Sequence, residues 1–444
     1  MKRVFSRITA TILAVGTLSA CAPQSETAEE KGTVRVLAPQ SDSQSGYALK
    51  TVDLLGISDL QTVSGKFVRF FMSPRIVKGK LTGRPAVSRF IKNPEGEFIP
   101  ANEMTQQLVA IYAHTQRLAQ LDDELGAGGI NSWPRDVGVG VRVKGGQNNN
   151  AYYDGDTDSM LVVPYNQAGL PIAINGGILA HEHFHSLFYK VVIKDTAETK
   201  ATAHTLENFI GTTSIVAEDL TARGRLKPSD IEGADLEEAS LQKYYRQAML
   251  RGLNEGLADY WGWMYTGNPD FIAQSLPKEK MNRSMNVDGV FATYELPSAT
   301  TIKNSIQVFY KAGDTKKFES YVTGYAYVIG TQFSRMLKGF TEVSAKERGL
   351  ESLAARKDVA KVILRTLSTL KTELIEGEAP YYPAEKYVMS FAKELPEMKQ
   401  AECEFLAGVM NDSTDEANTR YSCKKNASGL SIESNTISSQ EVVE

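Results

Sequence analysis

The chain has 444 residues, 42% of them apolar, which suffices for one large domain or two ordinary ones around a substantial core. Its 49 Lys and Arg against 53 Asp and Glu leave a formal charge of −4. With no long basic run, nucleic acid is excluded as a default partner, and so is a compositionally disordered chain.

Met1-Lys2-Arg3, with Arg7 close behind, is a basic start, and Ile8 to Leu18 is mostly apolar, the pattern of a bacterial export signal. It ends in Leu18-Ser19-Ala20-Cys21, which resembles the lipobox of bacterial lipoproteins. That resemblance implies cleavage before Cys21 and a lipid anchor on Cys21; a plain secretory signal with an incidental cysteine is the alternative. Ala22, standing where an aspartate would signal inner-membrane retention, implies an outer-membrane anchor facing the periplasm. Residues 22–32 read as a polar tether. No later run of 18 apolar residues occurs, so a soluble, tethered body is expected. The two remaining cysteines, Cys403 and Cys423, can pair as a staple in an oxidising compartment, and no CxxC redox centre is present.

Residues 33–135 read as an N-terminal α/β region. Val34-Arg35-Val36-Leu37 and Phe67 to Phe71 suggest strands, while Asn102 to Leu121 has helical spacing, with Leu108, Ile111, Leu118 and Leu121 on one side. His114 falls on that helix without an acidic or histidine neighbour and reads as structural or surface. Val137 to Val143 alternates as a strand does. Asn148 to Asp154 and Ser159 to Pro164 then read as a hairpin.

Three of the five histidines stand in Ala180-His181-Glu182-His183-Phe184-His185-Ser186. Asn175-Gly176-Gly177 is a suitable helix entry, and a helix to about Tyr189 puts His181 and His185 on one side, four residues apart, within reach of one metal ion. His183 points elsewhere. Glu182, beside the first histidine, can reach water at the ion without filling a ligand position. Ser186-Leu187-Phe188 excludes the longer HExxHxxGxxH pattern of the metzincins. A third ligand is needed. Leu253-Asn254-Glu255-Gly256-Leu257-Ala258-Asp259 lies on a predicted helix from Leu236 to Tyr265, where Glu255 can close the tetrahedron and Asp259 can accept from His181. An amphipathic helix with ordinary surface carboxylates is the alternative.

HExxH followed by NExxxD resembles the gluzincins, the zinc peptidases of the thermolysin, aminopeptidase and neprilysin groups, over roughly Asn150 to Leu337. The resemblance implies one zinc ion per chain, held by His181, His185 and Glu255, with Glu182 as general base and Asp259 supporting His181. Asn150-Ala151-Tyr152-Tyr153 is similar to the strand of those enzymes that pairs with extended peptide. Tyr321 and Tyr327, each opening a YxxG, are the candidates for stabilising the oxyanion, and the choice between them stays open. Glu255 lies 70 residues beyond His185, farther than in compact members, which implies an insertion at about 190–240 with a helix near Thr205 to Leu220. His204 and Glu207 there are weaker ligand candidates, lacking a matching supporting carboxylate. No GxMEN-like segment precedes the histidines, which favours an endopeptidase. Trp261 and Trp263 suit core packing at least as well as substrate binding.

The expected fold class is α+β: a zincin-like mixed-sheet lobe carrying the active-site helix, then a largely helical C-terminal lobe. The catalytic core is expected over 136–340, a helical region over 341–425 with helices at Lys346 to Leu374 and Ala384 to Lys399, and a flexible tail over 426–444. The function expected is an envelope-tethered zinc peptidase acting on peptides or proteins. A catalytically inactive relative that binds partners or organises the envelope is the alternative.

Overall fold

The structure is a computed structural model that describes residues 32–42, 46–142, 148–194, 238–286, 296, 299–312, 315–376, 384–411, 419–427 and 429–435. β-Branched and aromatic runs broken by turn residues make its first part mostly strand: β1 (Gly32–Asp42), β2 (Gly46–Asp59), β3 (Ser64–Gly65), β4 (Val68–Val77), β5 (Lys80–Pro85), β6 (Phe90–Lys92) and β7 (Phe98–Pro100). Helix α1 (Glu103–Leu125) follows, then β8 (Arg135–Val139), β9 (Ala151–Asp154) and β10 (Ser159–Val162).

Two sheets result. One runs β3-β2-β1-β7-β6 and the other β5-β4-β8-β10-β9. The second draws β4 and β5 from before Arg135 and the rest from after it, so the division expected at 135/136 crosses a sheet. Within it β8 pairs in parallel with both β4 (Phe70↔Val137) and β10 (Met160↔Val137), while β9 returns antiparallel (Tyr153↔Met160) and forms the edge.

Helix α1 is capped by Asn102, whose side chain accepts from the Thr105 N–H, and ends at Gly126 in the left-handed region, φ 83°. Its predicted apolar side, Leu108, Ile111, Leu118 and Leu121, is buried in the same core as Val36, Phe70 and Val137. Helix α2 (Gly176–Phe188) then carries the histidines and continues through one π turn, Tyr189–Ile193. Its cap Asn175 accepts from the N–H groups of Gly177 and Ile178 and donates to Phe271 O and Ser275 Oγ, which locks the helix start to the later part of the chain. The helix expected near Thr205 to Leu220, with His204 and Glu207, lies outside the described residues.

The second part is helical: α3 (Glu238–Thr266), α4 (Phe271–Ser275), α5 (Lys280–Arg283), α6 (Ala299–Lys311), α7 (Thr315–Arg348), α8 (Ser352–Leu370), α9 (Ala384–Lys393) and α10 (Gln400–Met410). Helix α3 is the central one, packing against α2 on one side and α7 on another. Where α3 crosses α7 there is no room for side chains. A Cβ added to Gly256 would fall 2.3 Å from Gly330 O, and one on Gly330 would fall 2.8 Å from Gly252 O. No helix among the described residues is long and apolar enough to cross a membrane.

Three expectations for the C-terminal part need correction. The helix expected from Lys346 to Leu374 is broken at Gly349, whose φ of 62° ends α7 before α8 begins. The helix expected from Ala384 to Lys399 stops at Lys393, and α10 follows separately. Residues expected to be a loose tail include β12 (Gly429–Ser434), paired antiparallel with β11 (Tyr421–Asn426). A disulfide between Cys403 and Cys423 (Cα–Cα 5.9 Å) joins this hairpin to α10, and Ile432 is buried there.

Candidate metal centre

Asn175 sets where α2 begins, and helical geometry then turns His181, Glu182 and His185 towards α3 and β9. The donor atoms of these three residues lie within 4.8 Å of one another and form a buried to half-buried group that could hold a metal ion. His181 Nε2 and His185 Nε2 stand 3.0 Å apart. From α3, Glu255 brings Oε2 to 3.5 Å from His181 Nε2 and Oε1 to 4.0 Å from His185 Nε2. Two donors sharing a tetrahedral ion at about 2.0–2.1 Å stand roughly 3.3 Å apart. The imidazole separation lies just under that value, and each imidazole nitrogen faces a different oxygen of Glu255, so the carboxylate stands within reach of an ion held by the two histidines.

The outward-facing nitrogens are held from behind. His185 Nδ1 lies 3.0 Å from Asn254 Oδ1, and His181 Nδ1 lies 2.9 Å from Asp259 Oδ1, although its N–H misses hydrogen-bond alignment. With Nδ1 of each ring turned to an oxygen, Nε2 of each is left as the metal-facing atom. Asp259 is itself gripped by Arg283 of α5, which donates from Nη2 to Oδ1 at 2.6 Å and from Nε to Oδ2 at 3.3 Å. The same guanidinium reaches within 3.6 Å of Glu255 Oε2 and covers the Tyr327 ring at 4.7 Å.

Electrostatics follow from this crowding. Burial disfavours charge on His181, but Asp259 and Glu255 outweigh it and hold the imidazole up at about 9. His185 is pushed down to about 4 by burial and then by the charge on His181. Glu255 is buried too, yet His181, His185 and Arg283 keep it well below the usual carboxylate range. Metal-free, His181 therefore adds a positive charge to that of Arg283, and a bound divalent ion would displace the His181 proton. Burial lifts Glu182 to about 7 against the pull of His181. One of its oxygens, Oε2, accepts the backbone N–H of Tyr153 on β9 at 2.9 Å.

Tyr327 is brought to the site by the glycine crossing: Gly330, one turn later on α7, lets that helix settle onto α3 at Glu255. The Glu255 carboxylate and burial raise the Tyr327 hydroxyl well above its ordinary range, so it remains a protonated donor. Tyr321 also lies on α7, with its side chain outside the described residues. His183, expected to face away, does so: Nδ1 accepts from Arg135 Nη1 at 3.2 Å and Nε2 donates to Asp122 at 2.9 Å. Trp261 is fully buried against Phe184, and Trp263 lies under Arg356, so both serve the core. His114 is structural, buried with Nδ1 on the Tyr265 hydroxyl at 2.8 Å.

Two residues of the site carried no assigned role at the level of sequence. Asn254 stood inside the NExxxD stretch, where its position next to Glu255 was the available signal. Arg283 had none, since a carboxylate behind an imidazole calls for a cation but does not say which. No protein-family model and no curated protein matches the chain. The resemblance to zinc peptidases therefore rests on the residues of the site.

Proposed function

We propose that this protein is a zinc-dependent endopeptidase of the gluzincin kind, tethered through lipid on Cys21 to the bacterial outer membrane and facing the periplasm. The observation that carries the reading is the arrival of Glu255, 70 residues beyond His185, at 3.5 and 4.0 Å from the two imidazoles, with Glu182 left beside them. A purely structural site has no use for that extra carboxylate. The anchor and compartment are supported by the export segment and Leu18-Ser19-Ala20-Cys21.

Zinc held by His181, His185 and Glu255 would supply Lewis acidity towards a peptide carbonyl and acidify water. The protein's own groups do the rest. Glu182, poised near neutrality by burial, takes the proton of the attacking water and returns it to the departing amine. Tyr327 donates its hydroxyl to the oxygen on which charge develops. Asp259 and Asn254 keep the two imidazoles oriented, with Arg283 fixing Asp259. β9, at the sheet edge beside Glu182, offers backbone groups on its outer side for an extended peptide to pair with.

The test compares the chain lacking residues 1–21 with its Glu182→Gln variant for metal content and for cleavage of a mixed peptide and denatured-protein library. About one zinc in each, with cleavage lowered roughly 10²–10⁴-fold in the variant, is expected. Zinc in both but cleavage by neither favours the inactive, partner-binding alternative. A folded protein that takes up no zinc even when it is supplied refutes the site.

A further inference from the structure

Among the described residues β9 has one strand neighbour and four residues of ladder pairing, so contacts outside the ladder also bear on its position. Tyr153 supplies several of them: its ring packs edge-on against Tyr189 and lies under the Arg135 guanidinium, and its hydroxyl reaches Asp158, in the turn between β9 and β10. Asp158 has a φ of 49°, the left-handed region in which a turn aspartate is at home. Both of its carboxylate oxygens are engaged: the Tyr153 hydroxyl donates to Oδ1 at 2.8 Å, and Lys190 Nζ lies 2.8 Å from Oδ2.

Lys190 belongs to the π turn that continues α2, and its side chain is only 12% exposed. Its ammonium also donates to Asn131 Oδ1 at 3.1 Å. Asn131 accepts from Ser186 and donates to Asp122, the partner of His183, so the ammonium is tied into the network behind the metal helix. Tyr153 is thereby held at two ends. Its backbone N–H rests on Glu182, while its hydroxyl is anchored on the far side through Asp158.

We propose that Lys190 is a positioning residue: through Asp158 and the Tyr153 hydroxyl it latches the edge strand to the back of α2 and keeps the Tyr153 N–H on Glu182. As regards turnover, this rests on the reading of Glu182 as the base; the placement of the strand does not depend on that reading.

The experiment uses the full chain and the variants Lys190→Met, Asp158→Asn and Lys190→Arg. It follows amide exchange across Ala151–Asp154, zinc content, and kcat and KM on a cleaved peptide. Lys190→Met and Asp158→Asn are expected to exchange this segment about ten-fold faster than wild type. They should lower kcat by roughly ten- to a hundred-fold, with zinc content unchanged, and Lys190→Arg should restore both the exchange rate and kcat. Asp158, 40% exposed, keeps the test open if Lys190→Met does not fold. Wild-type exchange in the folded variants overturns the proposal, and so does faster exchange spread evenly over the sheet. If wild type cleaves nothing while exchange responds as expected, the latch stands and the peptidase reading falls.

Discussion

The two faces of α2 use the same residue type to opposite ends. On the front, His181 and His185 turn their Nε2 atoms towards each other at 3.0 Å, with the Glu255 carboxylate beside them. On the back, His183 spends both nitrogens on protein partners, Arg135 and Asp122, and stacks on Trp133 with ring centroids 6.2 Å apart. Burial lowers His183, as expected of an imidazole kept neutral inside a satisfied network. A histidine's neighbours, more than its burial, separate a site from a support.

If this contrast is right, damage to the two faces must dissociate. His185→Ala should abolish stoichiometric zinc, exceeding the roughly hundred-fold that loss of an outer partner can cost, while calorimetry of the metal-free protein still shows a folded chain. Asp122→Ala should do the reverse. It leaves the His183 Nε2–H and the Asn131 amide buried without their acceptor, at about 1–3 kcal/mol of stability in a denaturant titration, while the folded fraction still takes up zinc.

His114 sharpens the contrast, because it is buried on Gly176 at the start of α2 with no carboxylate to support a charge. Burial and then Arg117 hold it down at about 4. In the unfolded chain it binds a proton from about pH 6.5 downward. Its contribution to stability is therefore fully present above that pH and lost as pH falls towards 4, about 3 kcal/mol in all. Denaturant titrations at pH 7 and 4.5 should show the loss, and it should be smaller in His114→Leu. The mildest effect is expected at Asp259→Asn, which keeps the shape behind His181 but removes the anion. Zinc affinity should fall roughly 10–100-fold, and a competition titration showing no change would mean that Asp259 serves Arg283 rather than His181.

The site was largely legible where one element held all the information. The four-residue spacing of His181 and His185, the turning away of His183, and the shared face of Glu255 and Asp259 all follow from helical periodicity. Asn175 announced the start of α2 as a helix entry. Illegible were the features that depend on how distant elements meet: the parallel pairing of β8 with β4 and β10, the arrival of Arg283 from α5, and the tie from Lys190 to the β9–β10 turn. The placement of Tyr327 near Glu255 belongs to this second kind, since it follows from the packing of Gly330 on α3. The C-terminal hairpin was missed because its residues are polar, and its place depends on the disulfide to Cys403.

The glycine crossing also has a mechanical meaning. Side chains separate helices across much of the core, but not at Gly262 of α3, where a Cβ would fall 2.7 Å from Gly177 O of α2. At Gly252, Gly256 and Gly330 the backbones of α3 and α7 likewise meet without that padding. A shift of α7 therefore presses directly on the turn of α3 that carries Glu255, and the seam couples the positions of Tyr327 and Glu255. Sequence change on the outer surfaces of these helices is free to accumulate, whereas at this seam a single added methyl group would move the carboxylate and the hydroxyl together.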